Sequence, residues 1–325
     1  MIPNNSNIYL ETSAVNYLAD QYTWGDGKAT RIYHSLKGSR FFISPITIWE
    51  ILITSDEGRK EILIHYLQHL CNPKMLNSPS EFIINYLLVG CPIVEKKYEF
   101  YSKIDLANVW SDITENTMKT FIYDRNELME YTNLIRTTFN SFVKGFNEVL
   151  SSPTINSGLS ETIRLINNIL SELHGIKVKE IDEETKLLYK LTILIIYYYF
   201  CYQMDYDRST LKKYWGPLNI KSPIDRLSYL AKYQEKLFYR GPFIVMAKMA
   251  LVQFSANNKP ERSSFWDILH SIYLIYLDVF FTNDEHFLNL RKIGKHEIFN
   301  KITHFSEISL VTASNIEIDN ETIIK

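Results

Sequence analysis

The chain has 325 residues, more than one hydrophobic core usually holds, so two packed units or one domain with a large insertion are expected. Its 46% hydrophobic and 22% charged residues, with 11 Gly and 10 Pro, exclude a disordered, collagen-like or low-complexity polymer. A formal net charge of −2 excludes a protein that holds duplex DNA by bulk positive charge, so any nucleic-acid contact must be local.

In chain order, Ile8-Tyr9-Leu10 is an apolar strand, and Glu11-Thr12-Ser13 leads from it into a helix beginning Ala14-Val15-Asn16-Tyr17-Leu18. A second helix covers about Gly27 to Leu36, Phe41-Phe42-Ile43 forms a second strand, and Ser44-Pro45 open a helix that continues from Ile46 to Ile53. From about Asn72 to Ser255 strand signals nearly vanish. Apolar stretches with helical spacing follow one another at Glu81 to Leu88, Met118 to Val149, Glu161 to Leu173 and Glu183 to Met204. Asn72 to Ser80, Ser151 to Gly158, Gly216 to Asp225 and Ser255 to Ser264 have the composition of connecting loops. Phe265 to Tyr276 resumes as helix, Val279-Phe280-Phe281 is a strand, Glu285 to Leu290 a short helix and Ser309-Leu310-Val311 a last strand. The expected organisation is an α/β domain in two parts, residues 1–71 and 256–325, interrupted by an α-helical insertion over 72–255.

Cys71, Cys91 and Cys201 are odd in number and form no CxxC pair, which argues against a disulfide framework or a cysteine-rich zinc site. Buried thiols in a reducing compartment are expected. The stretch Met1 to Asn7 has no basic start followed by an apolar run, so no secretory signal is read and a cytoplasmic location is expected. Leu191 to Met204, the most apolar run, falls short of the roughly 20 residues that a membrane-spanning helix needs. It reads as a buried helix, and no membrane partner is expected.

Four acids stand where apolar neighbours predict burial. They are Glu11 after Ile8-Tyr9-Leu10, Glu50 in Ile48-Trp49-Glu50-Ile51-Leu52, Asp267 in Phe265-Trp266-Asp267-Ile268-Leu269, and Asp284 after Val279-Phe280-Phe281-Thr282-Asn283. Burying an ionised carboxylate costs several kcal/mol unless it is paired, hydrogen-bonded or bound to a cation. Glu11 and Asp284 lie just beyond the carboxyl ends of strands, where open α/β sheets bind ligands. Clustered carboxylates suit Mg²⁺ or Mn²⁺, and such an ion promotes hydrolysis of phosphodiesters. The ordinary alternative for each acid taken singly is a helix-terminal charge, a salt bridge or a solvated side chain.

Those segments, Ile8 to Leu18, Ile43 to Leu52, Asp267 to His270 and Val279 to Phe287, resemble in order and residue type the successive motifs of the PIN domain family. The resemblance covers roughly residues 1–70 and 260–315. It implies an α/β/α sandwich with a mostly parallel sheet, and acids gathered around Mg²⁺ or Mn²⁺. It further implies ribonuclease activity of the kind found in toxins of toxin–antitoxin pairs. Glu11, Glu50, Asp267 and Asp284 then take the places of the four acids, with Thr12 or Ser13 and Thr282 as hydroxyls that orient them. The chain departs from the pattern in having Glu at the first acid, usually Asp, and in its long helical middle.

The expected activity is metal-dependent hydrolysis of RNA, leaving a 5′-phosphate and a 3′-hydroxyl, with single-stranded DNA as the other substrate to test. A regulatory protein partner and a homodimer are further expectations. The alternative is a PIN-like binding module, for nucleic acid or protein, that has lost turnover through Glu11. Smaller signals are the His65/His69 pair at zinc-site spacing, His270 and His286 near the later acids, and Arg31, Lys37, Arg40, Lys259, Arg262, Arg291, Lys292 and Lys295 as phosphate contacts. For each of these, packing or a solvated surface is the commoner role. No P-loop, GxGxxG or GxSxG motif is present.

Overall fold

The computed structural model describes residues 5–23, 28–36, 38–68, 73–79, 140–149, 182–202, 222–238, 242–255, 263–293 and 297–308, with isolated positions between them. The first elements are β1 (Asn7–Leu10), α1 (Thr12–Thr23), α2 (Lys28–Ser35), β2 (Arg40–Ile43), α3 (Pro45–Leu52), α4 (Glu57–Tyr66) and β3 (Lys74–Met75). Next come α5 (Glu183–Ile195), α6 (Pro223–Phe238), α7 (Pro242–Ser255) and α8 (Ser263–His270), then β4 (Val279–Phe281), α9 (Glu285–Ile293) and β5 (Ile302–Thr303). The protein is α/β. It divides into a unit that carries the sheet, Met1–Leu76 with Tyr276–Lys325, and a second unit, Asn77–Ile275, whose described elements are helices and which is called the helical unit below. The sequence pattern draws these boundaries at 71/72 and 255/256. The difference arises because β3 hydrogen-bonds to β2, while α8 and the tight helical turn after it pack on α7.

Among the described residues the sheet has five strands, all parallel, in the order β3-β2-β1-β4-β5. Ile8, Tyr9 and Leu10 of β1 and Val279, Phe280 and Phe281 of β4 are all buried although successive side chains point to opposite faces. Both faces of the sheet are therefore covered, as a parallel sheet requires. Each such apolar side chain contributes roughly 1.5–3 kcal/mol of burial free energy, before conformational entropy is counted. From β1 the chain builds outward through β2 and β3 on one side, and β4 and β5 lie on the other. The order reverses between β1 and β4, and the carboxyl ends flanking such a reversal form the usual ligand crevice of an open α/β sheet.

Local chemistry sets the helix starts. The Ser44 hydroxyl accepts from the Thr47 amide (3.4 Å) with Pro45 in the first turn, and Asp56 accepts from the Arg59 amide (3.0 Å) to open α4. Gly38, at φ +89°, makes the turn into β2, a conformation that a side chain would strain. Arg59 of α4 clamps α1 by donating to Asn16 Oδ1 (2.8 Å), to the Asn16 carbonyl (3.0 Å) and to Asp20.

Two strands escape the apolar pattern. β3 falls in the stretch read as a loop, and β5 in one given no element; both are two-residue edge strands held by pairing, Phe42 beside Lys74 and Phe281 beside Thr303. A strand that short contributes mainly backbone hydrogen bonds, which leave no hydrophobic period to detect. The strand expected at Ser309-Leu310-Val311 lies outside the described residues, as do the helices expected at Glu81 to Leu88 and over much of Met118 to Val149 and Glu161 to Leu173.

In the helical unit, α7 packs against α5, α8 and the following 3₁₀ turn, Ser271–Ile275. The Phe265 to Tyr276 run is thus one α-helix that tightens at Ser271, whose hydroxyl donates back to the Ile268 carbonyl (2.7 Å). The Leu191 to Met204 run is α5 passing into a π-helical segment, Ile196–Tyr202. A Cβ on Gly145 would lie 3.0 Å from Leu194 Cδ1, so a glycine there lets the helical stretch 140–149 approach α5 closely. Buried Arg226 donates to the Cys201 carbonyl (2.8 Å), and Cys201 is a buried free thiol. Among the described residues, no helix is long and apolar enough to cross a membrane.

Candidate functional site

Glu11 follows the last residue of β1, and its amide still pairs with the Phe281 carbonyl of β4 (3.2 Å), so the ladder carries it to the order reversal. Its side chain is 4% exposed. Oε2 accepts from the Ser13 amide (3.0 Å), from the Ser13 hydroxyl and from the Thr282 hydroxyl (3.0 Å). None of these three donors is charged. They satisfy the oxygen and fix the carboxylate plane without neutralising it.

Thr282 and Ser13 also reach the β4 end. Thr282 Oγ1 accepts from the Asp284 amide (2.9 Å), and Ser13 Oγ accepts from the Asn283 amide (2.8 Å). Each hydroxyl has one proton and gives it to Glu11. The 3.2 Å approach of the two hydroxyl oxygens is then proximity rather than a further bond. The sequence Thr282-Asn283-Asp284 is thereby locked to Glu11 across the two central strands. Asp284 Oδ1 accepts from the His286 amide (2.6 Å), capping α9, and lies 3.5 Å from His286 Nδ1. The carboxyl group of Asp284 is 32% exposed, so water reaches it.

Glu50, on α3, is half-buried and takes the Thr12 hydroxyl on Oε2. Below these acids Tyr9 is fully buried, its hydroxyl 2.7 Å from Ser44 Oγ. Burial pushes the Tyr9 phenol well above its ordinary value, and the negative charges of Glu11 and Glu50 push it the same way. It stays protonated. The sheet unit thus brings three of the four sequence-selected acids into the region of the β1 and β4 ends, and Thr12, Ser13 and Thr282 all act as carboxylate-orienting hydroxyls.

Asp267 belongs to the helical unit, on α8, and is 6% exposed. Gln253 of α7, 2% exposed, donates from Nε2 to Asp267 Oδ2 (2.5 Å). Its Oε1 is buried and has no hydrogen-bond partner among the described residues, which costs about 1–3 kcal/mol if nothing else supplies a donor. Sequence inspection for buried acids passes over Gln253. The available signal is a lone amide in the apolar run Met249 to Phe254.

Of the smaller signals, His270 is fully buried at the end of α8, and His65 is exposed on α4. His69, Lys37, Lys259, Arg262 and Lys295 lie outside the described residues. Arg291 is engaged structurally, donating to both Glu307 carboxylate oxygens (2.8 and 2.5 Å) and to the Ile302 carbonyl (2.8 Å). Arg40 and Lys292 are exposed.

No family model, curated protein or solved structure matches the chain.

The donor chemistry fits a divalent cation. The acids supply hard oxygen ligands, and the Ser13 and Thr282 groups that donate to Glu11 are neutral. The buried carbonyl oxygen of Gln253 is an acceptor of the same character.

Proposed function

We propose that the protein is a metal-dependent nuclease of PIN-like architecture, with RNA as substrate. The observation that carries this reading is the wiring of Glu11 to Thr282 and Asp284 across the carboxyl ends of β1 and β4. Glu11, Glu50 and Asp284 of the sheet unit are the proposed ligands for Mg²⁺ or Mn²⁺, and Asp267, on α8, is the further acid that the PIN resemblance implies. When bound, the ion lowers the pKa of water and offsets charge building on the phosphate.

The chain's own residues supply placement. Ser13 and Thr282 hold Glu11 in one orientation, Thr12 holds Glu50, and the first turn of α9 holds Asp284. Water adds to phosphorus, the bond to the 3′ oxygen breaks, and the products are a 5′-phosphate and a 3′-hydroxyl. His286, beside Asp284, is the side chain placed to pass a proton to solvent. A role as a cytoplasmic toxin held in check by a regulatory protein, and action as a homodimer, belong to the same proposal.

The test is cleavage of end-labelled RNA and single-stranded DNA with Mn²⁺, with Mg²⁺ and with EDTA, beside Asp267→Asn and Asp284→Asn. Metal-dependent cutting lost in both variants supports the reading, and the preferred strand names the substrate. Equal cutting by the variants overturns it.

A second reading has its own observation: three donors crowd one oxygen of Glu11, and Asp284 caps a helix, both stabilising roles that need no turnover. On that reading the protein is a binding module. Glu11→Asp separates the two, since activity that appears only in the Asp variant marks a scaffold whose catalysis was lost.

A further inference from the structure

We infer that the buried hydroxyl of Tyr9 is a positioning group for the acid cluster: bonded to Ser44 at the start of α3, it fixes where Glu50, farther along that helix, stands relative to Glu11. This rests on the nuclease reading above and deepens it by naming what sets the spacing of two of its acids. Every residue involved belongs to the sheet unit.

A phenol in the middle of β1 needs a reason. Tyr9 is fully buried, and its ring packs on Phe280 with centroids 5.0 Å apart, a contact that phenylalanine would make equally well. A hydroxyl taken out of water costs about 1–3 kcal/mol unless it is bonded, so packing alone does not call for one. Here it lies 2.7 Å from Ser44 Oγ, which is also buried and accepts from the Thr47 amide (3.4 Å) as the cap of α3. The hydroxyl thus ties a central strand to the first turn of the helix that carries Glu50.

Side chains alternate between the faces of a strand, so Tyr9 and Glu11 share one face. Ser44, Thr47 and Glu50 follow at intervals of three, along one ridge of α3. Each meets β1 or the residue that continues from it. Ser44 meets the Tyr9 hydroxyl, Thr47 Oγ1 approaches the Leu10 carbonyl (3.5 Å), and Glu50 takes the Thr12 hydroxyl. At the end of the row a carboxylate oxygen of Glu50 lies within 4.8 Å of one of Glu11.

That spacing depends on the direction of α3 as much as on its position. Glu50 stands six residues beyond Ser44, roughly 9 Å along the axis, so a tilt of about 6° at Ser44 would move it by about 1 Å. A shift of that size can cost about 100-fold in a site built for a reaction. Thr12 holds the Glu50 end and Tyr9 the Ser44 end, and two points fix a line. Tyr9 is accordingly a positioning residue, acting through α3 on Glu50.

The experiment is Mn²⁺ titration of the full chain by loss of the free-ion paramagnetic resonance signal, comparing wild type with Tyr9→Phe, Glu50→Gln and the double variant. Tyr9→Phe keeps the ring and removes the hydroxyl. It should weaken Mn²⁺ binding about tenfold, the lower end of the usual effect of losing an outer-shell partner, and Glu50→Gln should weaken it at least as much. The double variant should match Glu50→Gln, because the hydroxyl acts only through Glu50. A purely stabilising role would leave the affinity of the folded Tyr9→Phe protein unchanged.

Unchanged affinity in Tyr9→Phe, with binding weakened in Glu50→Gln, overturns the inference and leaves the metal reading intact. An equal loss from Tyr9→Phe with and without Glu50→Gln overturns it as well, since the effect would then bypass Glu50. Absence of Mn²⁺ binding in wild type, or unchanged binding in Glu50→Gln, overturns the metal reading of Glu50 and this inference with it. Should Tyr9→Phe not fold by circular dichroism, or Glu50→Gln leave no measurable binding, Ser44→Gly decides, because glycine is tolerated as a helix cap and removes the partner hydroxyl. A loss of about tenfold there supports the assignment, and unchanged affinity overturns it.

Discussion

Glu11 in the sheet unit and Asp267 in the helical unit are both buried carboxylates, yet the two units stabilise them by different means. Glu11 is held by one backbone amide and two hydroxyls at strand ends, so its position follows from the β1–β4 ladder. Asp267 sits on a helix whose own amides are engaged along its axis, and a side chain from α7 must come to it. A sheet places its strand ends by backbone geometry, whereas a helix bundle places an acid only as accurately as its side chains pack. The contrast implies that the Glu11 cluster tolerates conservative hydroxyl exchange, while Asp267 relies on side-chain packing that brings the Gln253 amide to it.

The largest expected effect breaks the sheet side at its scaffold. Phe280 is fully buried, with ring centroids 5.0 Å from Tyr9 and 4.7 Å from Phe287, so Phe280→Ala should lower unfolding free energy by about 3–5 kcal/mol in denaturant titrations. Next comes the hydroxyl that joins Glu11 to the Asp284 amide. Thr282→Val keeps the shape and removes both bonds, and should cost about 10–100-fold in Mn²⁺ affinity, while Thr282→Ser retains most of it; equal loss in both would mean that the hydroxyl is not what matters.

A smaller effect concerns how α1, which begins at Thr12, is kept in place. Replacing the Arg59 clamp by Met should cost about 1–2 kcal/mol of stability, and a cost near zero would show that the α1–α4 contact is held by packing alone. The smallest concerns the Arg291–Glu307 pair beside β5. The hydrogen bonds from Arg291 hold Glu307 below the ordinary carboxylate range. A depressed carboxylate contributes stability above its unfolded pKa and loses it as pH falls through the folded value. Wild type should therefore exceed Glu307→Gln by less than about 1 kcal/mol near neutrality, because the pair is partly exposed, and the two should converge at strongly acid pH.

What could be read beforehand and what could not divides along the same line. The acids Glu11 and Asp284 are legible because each follows a short apolar strand, and Asp267 and Glu50 because each interrupts an apolar helix. The helix start at Ser44-Pro45 is local chemistry, complete within four residues, and Asp56 opens α4 by the same means although no helix is read there. By contrast β3 and β5 exist because β2 and β4 offer them backbone partners, and two residues of strand carry no period of their own. The tightening of the chain at Ser271 likewise follows packing against α7, which the apolar spacing does not register.

Sequence by itself determined β1, β2 and β4 with the helices that follow them, and singled out the four acids, since apolar runs and capping residues act over a few positions. Only the tertiary structure decided the parallel strand order that sets β1 beside β4, the bond from Thr282 to a glutamate 271 positions away, and the choice of Gln253 as the partner of Asp267. The reason is physical. A buried carboxylate declares its need for donors through its neighbours in the chain, but the donors that meet the need are chosen by which surfaces the folded backbone brings together.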